Sequence, residues 1–242
     1  NFASLLRTYP LGVPSLLFGQ NFTANPLGEV SIINIPSIDL LMLFWLVLVL
    51  AGLFLGCLFF DALCRVTAPE KTKFSFRLIM QQYGQVLSFT VVLVIVLTLL
   101  IIPAFSVLSL LTTSGSGFSQ VLLLVMVFMG VWLLLPLVFS IHGIFVNKQR
   151  AFASITTSIR MVRVFLPGTG MFIMTAILLN QGLSLLWMLP GPGNWMMGVG
   201  IAGHAFISTG LCAATFVYYR GGLIWMQEAI RRMNSRVTPK IS

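Results

Sequence analysis

Charged side chains are nearly missing from this sequence. Asp, Glu, Lys and Arg together make up 8% of 242 residues, against about a quarter in a soluble domain. With 58% hydrophobic residues and a mean hydropathy of +1.01, the composition excludes a water-soluble globular fold and is that of an integral membrane protein. Acids are scarcest: Glu29, Asp39, Asp61, Glu70 and Glu228 are all five. None lies deep in an apolar run, and Asp39 and Asp61 bracket the first. Ion-coupled carriers and proton pumps place carboxylates inside the membrane, so such a carrier is not expected. The chain also lacks a P-loop, HExxH, GxSxG and any pair of close carboxylates. Without a nucleophile, base and stabiliser in one place, no enzyme is expected. Three cysteines, Cys57, Cys64 and Cys212, form no CxxC and no Cys/His cluster, which excludes a disulfide framework and a zinc site. Two histidines without neighbouring Cys or acids do not make a metal site.

What is present is long apolar runs. A bilayer core about 30 Å thick needs roughly 20 apolar residues per spanning helix. Five runs qualify: Ile38 to Phe60, Val86 to Leu108, Ser119 to Ile141, Phe165 to Leu189 and Trp195 to Tyr219. They are continuously apolar, without the alternation of a membrane β-barrel. The expected fold is therefore all-α: a polytopic transmembrane helical bundle of five spanning helices. An external or interfacial segment over residues 1–37 precedes the membrane domain of 38–219, and a cytoplasmic tail of 220–242 follows it. The proline-rich first segment holds Asn21-Phe22-Thr23, a glycosylation triplet that reads first as a plain loop. The chain opens on Asn1 rather than Met, so an upstream signal or helix is expected to have been removed or left out.

The connections set the expected orientation. Leu110 to Phe118 and Pro190 to Asn194 carry no charge and read as tight turns. Of the 14 Lys and Arg residues, 13 fall in the Asp61–Arg77 segment, the Asn147–Arg163 segment and the tail after Tyr219. Five helices put those three segments on one side, which the positive-inside rule makes cytoplasmic. The net charge of +9 thus reads as orientation and contact with anionic headgroups, not nucleic-acid binding. In the tail, Leu223, Met226, Ile230 and Met233 share one helical face, with Glu228 and Arg232 an i, i+4 pair on the other. The spacing predicts a short amphipathic helix along the cytoplasmic surface, with Trp225 at headgroup level.

Ser75-Phe76-Arg77 before the second span and Ser158-Ile159-Arg160 before the fourth form a short repeated block, 83 positions apart. Arg150-Ala151, then Ser158-Ile159-Arg160-Met161-Val162-Arg163, two apolar helices and Tyr218-Tyr219-Arg220 carry a resemblance over roughly residues 62–232. That stretch resembles the bacterial polytopic group related to the membrane domain of some glycerophosphodiester phosphodiesterases. The resemblance implies a six-helix bundle in a bacterial cytoplasmic membrane, with no catalytic residues to carry over. Only five spans are counted here, and no soluble phosphodiesterase domain is present in this chain.

The remaining candidates are few. Gly198, Ala202, Ala205, Thr209 and Ala213 fall on one face of the fifth span, the kind of small-residue stripe on which membrane helices pack. Gly52 and Gly56 form a lone GxxxG pair. Asn180 lies ten residues before Pro190 and His204 nine after Trp195, so at 1.5 Å per residue both sit roughly 13 to 15 Å from the turn. A lone amide in hydrocarbon is costly, so Asn180 or Gln181 is expected to meet His204 as a polar clamp. The alternative use of His204, or of His142, is as a ligand to haem or chlorophyll; His142 reads first as an interfacial residue. A carrier would have only Asn180, Gln181, His204, Ser208 and Gln120 to line a polar cavity. The reading that fits best is a non-catalytic accessory or structural subunit that contacts membrane lipids and other membrane subunits. No cofactor or metal is expected.

The topology is checked by single cysteines in a Cys-free background. Ser116→Cys and Asn194→Cys should react with an impermeant thiol reagent in intact cells, and Ser235→Cys should not. Labelling at Ser235→Cys would reverse the orientation.

Overall fold

A computed structural model describes residues 37–70, 73–113, 118–187, 189 and 195–237. The N-terminal segment with its Asn21 triplet, the tips of both uncharged turns and the last five residues lie outside them. The expected class is what is found: the described residues form helices and no strand. Five helical stretches are long and apolar enough to cross a membrane. In hydrocarbon every backbone polar group must be satisfied within the protein, which leaves helices as the means by which such apolar runs can span.

The first helix, α1 (Ile38–Val66), starts where Ser37 Oγ accepts the Leu40 N–H at 3.3 Å, with Asp39 in the first turn against the positive helix end. It stops at Thr67, whose N–H and hydroxyl both donate to the Leu63 carbonyl, at 3.0 and 2.8 Å. Pro69 follows and bars continuation. Arg65 Nε stands 2.8 Å from Asp61, one turn earlier, and its guanidinium lies 5.1 Å from the Phe74 ring centre. The second helix, α2 (Phe76–Thr113), begins ten residues before the expected span. Arg77, Gln81, Gln82 and Gln85 hid that start by lowering the local hydropathy.

The third span is not one helix. α3 (Phe118–Leu134) gives way to a 3₁₀ turn over Leu135–Leu137 and then to α4 (Ser140–Val146). Pro136 is the cause, since it has no N–H to give the Trp132 carbonyl. α4 ends as the chain passes through Lys148 at φ 52°, the left-handed conformation that often closes a helix.

The basic connection of Asn147–Arg163 contains a helix, α5 (Ala151–Val164). Its first N–H, at Ala151, donates to Gln85 Oε1 of α2 at 3.0 Å, which satisfies one orphan donor of a helix N-terminus. Its buried face is Ala151, Ser154, Ser158, Met161 and Val162. Ser158 Oγ donates to the Pro136 carbonyl at 2.6 Å, and Ser154 Oγ donates to the Ser140 carbonyl. The serines of α5 therefore meet the carbonyls of the broken span. The repeated block is not equivalent in the two places, because Ser75 is exposed ahead of a helix and Ser158 is fully buried within one.

Pro167 sits in the first turn of α6 (Leu166–Trp187), where its missing N–H costs least, and separates it from α5. The last helix, α7 (Met196–Val237), is continuous. The tail is helical as expected, but it extends the fifth span through Gly221 and Gly222 instead of starting a separate helix. Trp225 is not left to headgroups alone, since its ring meets Phe165 edge-on at 3.7 Å between centres. Glu228 and Arg232 pair at 3.6 Å as expected.

The chain divides into two compact units. One comprises Asn1–Ile79 with Met171–Val217, the other Met80–Gly170 with Tyr218–Ser242. The core of the second unit is aromatic: Phe139 stacks with Tyr218 and Tyr219 at 5.6 and 6.0 Å. Gly143 of α4 is required there, because an added Cβ would collide with Ser154 and lie 2.9 Å from the Tyr219 hydroxyl.

Two substitutions test this core by thermal unfolding in mild detergent. Gly143→Ala forces an over-packed contact and should cost about 1–3 kcal/mol. Ser158→Ala leaves the Pro136 carbonyl without its partner and should cost about 1–3 kcal/mol, whereas Ser106→Ala, at an exposed position, should change stability little.

Candidate functional site

A hydrogen-bonded polar group lies between α6 and α7, within the first unit. Ser184 and His204 are buried, as is Ser208. Asn180 is half-buried beside them. On α6, Asn180 and Ser184 are one turn apart; on α7, His204 and Ser208 are one turn apart. Each step of four along α6 meets a step of four back along α7, so the helices run antiparallel in this register.

Glycine brings them together. A Cβ added at Gly200 would lie 2.6 Å from the Trp187 carbonyl oxygen, and one at Gly203 would lie 2.7 Å from the Trp187 ring. Only hydrogen at these positions lets the backbone of α7 approach the end of α6. The packing face is thus Met197, Gly200, His204 and Ser208, with Gly203 beside it. The expected stripe is a different face. Gly198 has nothing within 4 Å of an added Cβ, and Ala202 and Ala205 are exposed, while Thr209 and Ala213 are half-buried. Gly198, Ala202 and Ala205 therefore face away from α6.

Hydrogen bonds link the four residues. Ser208 Oγ donates to Asn180 Oδ1 at 3.0 Å. Ser184 Oγ donates to the Asn180 carbonyl at 2.6 Å. His204 Nδ1 lies 3.3 Å from Ser184 Oγ, and Nε2 lies 3.4 Å from Ser208 Oγ. Asn180 and His204 are therefore linked through serine hydroxyls. Gln181 is exposed and takes no part, as expected of two adjacent helical residues set about 100° apart. Ser184, not singled out by sequence, completes the set; its position one turn beyond Asn180 was the available signal.

This arrangement binds its own members. Both hydroxyl protons are directed at Asn180, and both ring nitrogens of His204 face serine oxygens. An axial ligand to haem or chlorophyll needs a ring nitrogen aimed into open space; each ring nitrogen of His204 has a serine oxygen within 3.4 Å. His142 lies in the other unit and is 5% exposed. Phe139 and Tyr219 lie beside it, their ring centres 5.3 and 5.9 Å away. Tyr219 in turn takes a 3.4 Å hydrogen bond from Asn147 Nδ2. Among the described residues, no group of three or more His, Cys, Asp or Glu is placed to hold a metal ion.

No protein family, curated protein or solved structure matches the chain.

Two measurements check the clamp. A double-mutant cycle of Asn180→Leu and His204→Leu should show a coupling of about 0.6 to 2 kcal/mol, and Gln181→Leu should show none with His204→Leu. Gly200→Ala should lower unfolding stability by about 1–3 kcal/mol, while Gly198→Ala, in open space, should not lower it.

Proposed function

We propose that the protein is a non-catalytic subunit of a larger membrane assembly, holding partner helices in place. The observation that supports this best is α3: none of the residues from Phe118 to Leu134 is buried. Leu124, Phe128 and Met129 are 70%, 64% and 66% exposed. A helix that neither joins the chain's own core nor carries a polar stripe does not gate a pathway or shape a polar cavity. Its use is contact with something beside the chain.

The exposed small residues of α7 favour the same reading. Lipid tails are as apolar as leucine, so membrane helices associate through close packing at small side chains. Gly198, Ala202 and Ala205 offer such a surface, exposed among the described residues. A carrier is less well supported. Asn180, Ser184, His204 and Ser208 hydrogen-bond to one another, and Gln120 and Gln181 are exposed. In this reading the three basic segments face the cytoplasm and hold anionic headgroups.

Purification in mild detergent tests the proposal. At least one membrane protein should be retained in constant ratio, and Gly198→Leu should reduce its retention without lowering the melting temperature of the purified chain. A monodisperse single chain at every detergent strength, with Gly198→Leu indistinguishable from the parent, would contradict it.

A further inference from the structure

Where Pro136 interrupts the third span, the second unit contains a cavity of about 420 Å³. That lies within the range of sites enclosing a small molecule, about 300–1,000 Å³. Its walls include Met129, Trp132, Leu133, Pro136 and Ile159, and the one charged group among its lining residues is Arg163. Arg163 is exposed and forms no ion pair with the described residues. Arg160 lies one turn earlier on α5, also exposed and without an ion pair.

An apolar chamber with a guanidinium beside it is complementary to one kind of molecule: an acyl chain that carries an anionic head. We propose that this cavity binds an anionic phospholipid from the surrounding membrane, one acyl chain lying against Trp132, Leu133 and Ile159 and the phosphate on Arg163. Three observations carry the assignment. The proline break opens the chamber within a span, where lipid tails are the available apolar ligand. The cation stands in the last turn of α5, outside the five spans, where an anionic headgroup can meet it. A planar guanidinium with paired donors matches a phosphate in both charge and shape, and no carboxylate of the described chain competes for it.

Native mass spectrometry of the full chain in mild detergent, with phosphatidylglycerol or phosphatidylcholine added at equal concentration, tests the site. One phosphatidylglycerol should be retained about fivefold more strongly than phosphatidylcholine, the preference one surface cation supplies. Arg163→Gln should remove the preference and Arg163→Lys should keep part of it. Arg77→Gln, equally exposed but outside the cavity, should leave it intact. Leu133→Trp, which fills the chamber, should reduce retention of both lipids. Equal retention of the two lipids by the parent protein would overturn the proposal. So would an Arg77→Gln effect as large as that of Arg163→Gln, which would mean diffuse attraction to basic residues, or a peptide seated there in place of lipid. If any variant fails to fold, the comparison of the two lipids on the parent protein still decides.

Discussion

A backbone carbonyl in hydrocarbon has no water to turn to, so a proline inside a membrane span creates a debt that other residues must meet. Pro136 does this in the third span. The helix stops at Leu134, tightens into a 3₁₀ turn and restarts at Ser140. Pro136 takes the i+4 donor from the Trp132 carbonyl, and beside the break the Pro136 carbonyl accepts from Ser158 and the Ser140 carbonyl from Ser154. These contacts explain why a chain this apolar keeps serines at fully buried positions, and why α5 is held against the break. Gly143 permits the approach and Gln85 secures the start of α5. The aromatic core of Phe139, Tyr218 and Tyr219 closes over the same place.

The other unit solves a related problem differently. There the span is unbroken, and the polar groups are side chains introduced on facing helices. Gly200 and Gly203 let α6 and α7 approach. Asn180, Ser184, His204 and Ser208 then join the two helices by hydrogen bonds. Such a set fixes a hairpin, which fits the structural role proposed.

The spans were legible in the sequence because unbroken apolar runs have few other uses. Counting residues to the turn set Asn180 and His204 at equal depth, whereas the register pairs Asn180 with Ser208 and His204 with Ser184, one turn apart. Helical phase was harder. Gly198, Ala202 and Ala205 share a face, but a small residue packs inward in one place and waits for a partner in another, and spacing alone does not separate the two. α5 was missed for a related reason: two positions of its inward face, Ser154 and Ser158, are serines, which register as polar although they are buried. The early start of α2 was concealed by glutamines, of which Gln82 is buried and Gln85 caps another helix. The last helix ran past Tyr219 because paired glycines alone do not stop a helix.

The account rests on α3 facing another protein. A photo-crosslinking amino acid at Val127, set on the helix opposite the Met129–Trp132–Leu133 side, tests this in the native membrane. The prediction is a discrete protein adduct of one size, lost when the same residue is placed at Ser140 in the chain's own core. Adducts to lipid alone at Val127, Leu124 and Val131 would contradict it.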